Sequence, residues 1–166
     1  MPALLGVPVL ILTMVLQTTA FSRMPLLHGT ADIVLLVILA WMLNERVRNG
    51  WDWMVMAGLM VSFVSALPLF LPFVGYFLAA ILAFWLKRRI WQTPILAMLF
   101  SAFLGTVMIQ SLSLIVLNVL GTDISIPAGY SLVILPSALW NLILAVPVYT
   151  LVGELAAWVY PKESGV

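Results

Sequence analysis

Polar positions are sparse along this chain, and their placement divides it into apolar segments. Charges fall at Arg23, at Asp32, at Glu45, Arg46, Arg48 and Asp52, at Lys87, Arg88 and Arg89, at Asp123, and from Glu154 onward. The charge-free runs between them cover 1–22, 53–86, 90–122 and 124–153, each near or above the ~20 residues that cross a bilayer as helix. The first run predicts a helix over 3–21, with Thr13 and Gln17 one turn apart on a face that needs a partner. Arg23, Pro25, His28 and Gly29 then predict a loop before a second helix over 30–48. Only 33–43 is continuously apolar there, so a span of ~20 residues has to draw in Thr30 and Asp32 at one end and the charges at 45–48 at the other. Asp32 is therefore expected at or just inside the membrane boundary.

The run from 53 is too long for one ordinary span, and Pro68, Pro72 and Gly75 divide it into a hairpin of helices over 53–70 and 73–90. Gly58, Ser62 and Ala66, and then Gly75, Ala79 and Ala83, recur every four residues and let helix backbones approach closely. Trp51 and Trp53 suit a belt at headgroup level. A fifth helix is predicted over 94–120, with the amide Gln110 inside it, and a polar loop over 121–130 leads to a sixth over 132–160. In that last helix Ser137, Asn141, Ala145 and Tyr149 share one face, four residues apart. An amide in hydrocarbon is costly unless a neighbouring helix meets its hydrogen bonds, so this face should point at protein. Pro147 removes the backbone bond to Ile143 and should bend the helix, whereas Pro136 belongs to its first turn. The sequence thus points to the last helix as the one the others assemble around.

Composition fixes the class. With 64% hydrophobic and 8% charged residues and a mean hydropathy of +1.20, the chain cannot form a soluble domain with a polar surface. It reads as an all-α membrane protein, a six-transmembrane-helix bundle forming a single domain over 1–166. Of the seven basic residues, Arg46, Arg48, Lys87, Arg88, Arg89 and Lys162 fall on one side of this arrangement and Arg23 on the other, which places both termini in the cytoplasm. The first helix lacks a basic leader and a small-residue cleavage site and reads as retained.

Candidate chemistry is thin. There is no cysteine, His28 is the single histidine, and no nucleophile, base and orienter assemble from spacing, so neither an enzyme nor a metal or cofactor site is expected. Lys87, Arg88 and Arg89 read as topology anchors, as do Arg46 and Arg48, with attraction to anionic lipid as a lesser role. Asp32 either caps its helix or contacts a partner or Arg23. Gln17, Gln110 and Asn141 read as helix glue or as the lining of a polar ligand cavity.

Three short stretches carry a family resemblance: Gln17, Thr18 and Thr19; then Ala31, Asp32, Ile33, Val34, Leu35 and Leu36; then Leu135, Pro136, Ser137, Ala138, Leu139, Trp140 and Asn141, followed by Pro147 and Tyr149. In order and spacing they resemble the bacterial rod shape-determining MreD family, and length and helix order agree over nearly the whole chain. Two positions depart from that pattern. Ala31 stands where the family often has proline, and Ser65 where it often has an acid. The resemblance implies a non-enzymatic inner-membrane subunit of the wall-elongation complex. Such a subunit binds MreC and, through it, meets the wall glycosyltransferase, its transpeptidase and MreB. It also implies a fold similar to the substrate-binding subunits of energy-coupling-factor transporters. That likeness supplies the alternative of a small-molecule-binding transporter subunit with a cavity near helices 1, 5 and 6. Gln17, Asp32, Gln110, Pro136, Ser137, Asn141, Ala145, Pro147 and Tyr149 are the candidate partner or helix-interface residues.

Overall fold

The computed structural model describes residues 2–19, 28–68, 70–89 and 93–161, so Arg23, Pro25, Trp91 and Lys162 lie outside the described residues. The regular structure within them is helical: α1 (Pro2–Thr19), α2 (Ile33–Leu43), α3 (Trp51–Val64), α4 (Phe70–Arg89), α5 (Pro94–Val119) and α6 (Ile126–Val159). Helices α4, α5 and α6 are long and apolar enough to cross a membrane, as expected of a membrane protein, while α2, α3 and the Leu5–Thr19 part of α1 are shorter apolar stretches.

The centre of the bundle is α2, not the last helix. All 11 residues of α2 are buried, and α1, α3, α4, α5 and α6 each pack against it. A helix hydrophobic on every side belongs in the interior, and the unbroken apolar run of Ile33–Leu43 is that signal. Its length corrects the expected span over 30–48. At roughly 1.5 Å per residue α2 rises only about 16 Å, against a hydrocarbon core of about 30 Å. The chain on either side of it, 28–32 and 44–50, is non-helical. Helix α3 likewise stops at Val64 rather than 70, with Ser65 as its C-cap. Helix α6 starts at Ile126, earlier than the expected 132.

Close approaches follow the small residues, with partners that spacing alone did not assign. A Cβ on Gly58 would lie 3.0 Å from the Phe73 ring, so this glycine seats α3 on α4. Gly75, by contrast, faces Ile109 at 3.0 Å and Gly105 faces Ala79 at 3.4 Å, so the small line of α4 serves α5 rather than α3. Trp53 is 1% exposed and stacks on Trp41 with ring centroids 3.9 Å apart, so its ring faces the bundle interior rather than lipid. Trp51 is half-buried against Phe77 and Phe84.

The described basic residues gather at one end of the bundle. Lys87 donates from Nζ to the carbonyls of Asn44 (2.6 Å) and Val47 (3.2 Å), and Arg46 donates to the Tyr160 carbonyl (3.2 Å). Arg88 lies over the Phe84 ring and Arg89 over Trp85. These contacts bring together the ends of α2, α4 and α6, and a cation beside the α2 C-terminus also meets the negative end of that helix.

Candidate functional site

A cluster of interior polar residues, Thr106, Ser137 and Asn141 among them, forms at the opposite end of α2. The chain approaches that helix as an extended segment, 28–32, laid along α6. His28 donates its N–H to the Leu132 carbonyl (3.1 Å), Thr30 to Ser137 Oγ (3.1 Å) and Asp32 to Asn141 Oδ1 (2.8 Å). The register has a geometric basis. Two residues of extended chain advance about 6.7 Å, and four residues of helix advance about 6 Å. Side chains four apart on α6 can therefore serve N–H groups two apart on the segment.

Pro136 contributes to the same seam in two ways. It has no N–H to offer the Leu132 carbonyl one turn earlier, and that carbonyl accepts from His28 instead. The helix is locally widened over Tyr130–Ile134, where the N–H of Leu135 reaches back five residues to the Tyr130 carbonyl. Gly29 then lies directly on α6. A Cβ there would come within 2.5 Å of the Ser137 backbone nitrogen and 2.7 Å of the Pro136 Cβ.

Asp32 ends the extended segment and starts α2. Its Oδ1 accepts from the Leu35 N–H (3.0 Å), the N-cap arrangement that satisfies one of the free donors of a helix start. A second donor, the Val34 N–H, is met by Gln17 Oε1 from α1 (3.1 Å). The Tyr76 hydroxyl of α4 lies 2.6 and 2.8 Å from the two carboxylate oxygens of Asp32. Asn141 completes the network, donating from Nδ2 to Thr106 Oγ1 on α5 (2.7 Å), whose own hydroxyl donates to the Ala102 carbonyl (2.6 Å). Five helices thus supply polar groups to one cluster. Tyr76, Thr106, Ser137 and Asn141 are at most 2% exposed, and Asp32 is half-buried.

The depth of this cluster differs from expectation. Thr106 and Asn141 stand near the midpoints of α5 and α6, so Asp32, bonded to Asn141, lies level with the middle of the long helices and not at their ends. The cause is the shortness of α2, which leaves the extended segment to cover the remaining depth. Non-helical backbone is tolerated at such a depth only where protein satisfies it, and here Ser137, Asn141 and the freed Leu132 carbonyl do so.

Of the residues singled out in the sequence, Gln17, Asp32, Pro136, Ser137 and Asn141 come together in this cluster. Ala145 continues the same face and is fully buried, so the face is internal to the bundle. Tyr149 is half-buried and packs against the core, and Pro147 is exposed. Gln110 stands apart, beside a cavity of about 150 Å³ under the α5–α6 connection. Tyr76 and Thr106 were not singled out. Tyr76 carried a usable signal, since a tyrosine within an apolar helix needs a hydroxyl partner when buried. A further cavity of about 200 Å³ between α1 and α3 is lined by Gln17 and Ser65, which places one of the two departing positions next to the cluster.

Among the described residues no group of His, Asp or Glu is arranged to hold a metal ion. What the cluster does chemically is hold: Ser137 and Asn141 restrain backbone that has no helix of its own, and Gln17, Asp32 and Tyr76 fix the first turn of α2. Comparison with family models, with curated proteins and with solved structures finds no match to this chain, so its function is argued from the site itself.

Proposed function

We propose that this chain is a non-enzymatic membrane subunit of the bacterial wall-elongation complex, of the rod shape-determining MreD type. In this reading it crosses the inner membrane six times with both termini in the cytoplasm and binds MreC. The observation that carries the reading is spatial. The three stretches on which the resemblance rests, around Gln17, around Asp32 and over 135–141, lie far apart in sequence and converge on one hydrogen-bonded cluster. Such stretches would be kept together because they jointly fix the short central helix. The basic end, with Arg46, Arg48, Lys87, Arg88 and Arg89, faces the cytoplasm in this arrangement.

A subunit of a solute transporter is the competing reading. The amide of Asn141 argues against a ligand there, because both its ends are spent on Asp32 and Thr106 within the bundle. Purification from the native membrane in mild detergent, with identification of protein and small-molecule passengers, separates the two. Recovery of a single-pass protein with a large extracytoplasmic domain is the expected result. Recovery of an ATPase module with a tightly held solute would overturn the proposal.

A further inference from the structure

The basic end contains a cavity that topology anchoring alone does not require. It measures about 230 Å³, and three cations from two parts of the chain line it: Arg48 from the loop after α2, and Lys87 and Arg88 from the end of α4. Trp51 and Phe84 form its apolar wall. Lys87 spends two of its donors on backbone carbonyls, but the two arginines remain exposed. Among the described residues Arg88 makes only its ring contact with Phe84, and Arg48 has no hydrogen-bond or ion-pair partner. Two guanidinium groups, each able to donate in a planar fork, thus face one cavity with most of their donors unspent.

We propose that this cavity binds the phosphate of an anionic phospholipid, held by Arg48 and Arg88, with Lys87 at its back. Continuity with an apolar surface favours a lipid over a soluble phosphate. Below the cavity Trp51 contacts Phe84 and Phe77 at centroid distances of 5.9 and 5.8 Å. About one helical turn further, Val55 on α3 and Ile81 on α4 are 40% and 41% exposed, and Phe77, a turn beyond Ile81, is 40% exposed. Along α3 and α4 the order away from the basic end is thus cations, aromatics and then exposed apolar side chains, the order in which a phospholipid presents phosphate, glycerol backbone and acyl chain. Basic pockets between helices on the cytoplasmic side are a general form of lipid headgroup site. The proposed orientation decides only which leaflet supplies the lipid; binding by the purified chain does not depend on it.

The test is native mass spectrometry of the full-length protein in mild detergent, titrated with phosphatidylglycerol, phosphatidylcholine or inorganic phosphate. Arg48→Gln and Arg88→Gln are compared with Arg89→Gln, which removes the same charge but sits over Trp85 outside the cavity. None of the three arginines ties backbone together, so the variants should fold. General attraction of basic residues to anionic lipid predicts a similar loss for every arginine removed, on the order of fivefold. The pocket predicts one tightly retained phosphatidylglycerol, weakened on the order of tenfold or more by Arg48→Gln or Arg88→Gln and clearly less by Arg89→Gln, with little retention of phosphatidylcholine. Equal losses for Arg88→Gln and Arg89→Gln would overturn the proposal, as would equal retention of the two lipids. So would competition by millimolar inorganic phosphate, which would mark a soluble phosphate site.

Discussion

Asn141→Leu is the most informative single substitution. The side chains share the same branched outline of heavy atoms, while two hydrogen bonds are lost: the one from the Asp32 N–H at 2.8 Å and the buried one to Thr106 Oγ1 at 2.7 Å. The two losses are unequal. Thr106 still donates to the Ala102 carbonyl, so that side costs about the membrane average for an interhelical bond, roughly 0.6 kcal/mol. The Asp32 N–H has nowhere to turn. It lies outside the helix, and a buried donor left unmet costs about 1–3 kcal/mol. The sum is about 2–4 kcal/mol, enough to lower stability markedly without preventing insertion of long apolar helices. Steric trapping in bicelles gives the unfolding free energy directly. Thr106→Val in a double-mutant cycle with Asn141→Leu should show coupling of about 0.5–1.5 kcal/mol. An Asn141→Leu variant within about 0.5 kcal/mol of the parent, inside the range of ordinary surface substitutions, would refute the role given to the extended segment.

Gly29→Ala places a methyl against the Ser137 nitrogen and the Pro136 ring, atoms that cannot move aside, and should cost about 1–3 kcal/mol or more. Gly105→Ala, whose nearest neighbour is at 3.4 Å, should be nearly neutral in the same assay. Tyr76→Phe removes a hydroxyl donated to a carboxylate and should destabilise by about 1.5–3 kcal/mol. Asp32→Asn keeps the cap, because the two residues rank alike at helix starts, and is expected to accumulate normally while weakening co-purification of the single-pass partner. Cysteines introduced singly at Thr122 and Asn49, both exposed, should differ in labelling from outside intact cells. Thr122 is expected to react and Asn49 not; the reverse pattern would invert the proposed topology.

Much of this fold was legible because the physics of its long segments is simple. Apolar runs bounded by charge or divided by proline mark α4, α5 and α6, and the four-residue line of Ser137, Asn141 and Ala145 does face protein. The centre was misplaced for an equally physical reason. A six-span reading assumes that every helix crosses the full hydrocarbon thickness, and that assumption stretched Ile33–Leu43 outward to 30–48 and pushed Asp32 to a boundary. The shortness of the continuous apolar run was in plain view, but its meaning depends on whether other helices can satisfy bare backbone at mid-depth. That is a property of distant residues such as Ser137 and Asn141, and no local pattern around Asp32 reports it. Trp53 failed similarly: an aromatic beside a charged loop fits a membrane interface, and only the facing ring of Trp41 shows why it lies inside.

The short central helix also explains why functional and structural readings of the cluster are hard to separate by mutation. A helix that crosses the whole membrane is held by its own backbone bonds and by polar surroundings at both ends. Helix α2 has its own backbone bonds but is too short to reach polar surroundings at both ends. At its N-terminus the restraints come from Gln17 on α1, Tyr76 on α4 and, through the extended segment, Ser137 and Asn141 on α6. At its C-terminus they come from Lys87 on α4. Each restraint is a side chain from another helix, so the position of α2 is set by the whole bundle, and a change in any one helix can be felt at both ends of it. Ala145→Phe illustrates the consequence. With Ala145 fully buried in the core that surrounds α2, the added ring has no lipid to enter and must displace packed core residues. Loss of partner binding in that variant is therefore expected to come with loss of stability. A variant that lost the partner while remaining as stable as the parent would place the docking face on α6 after all.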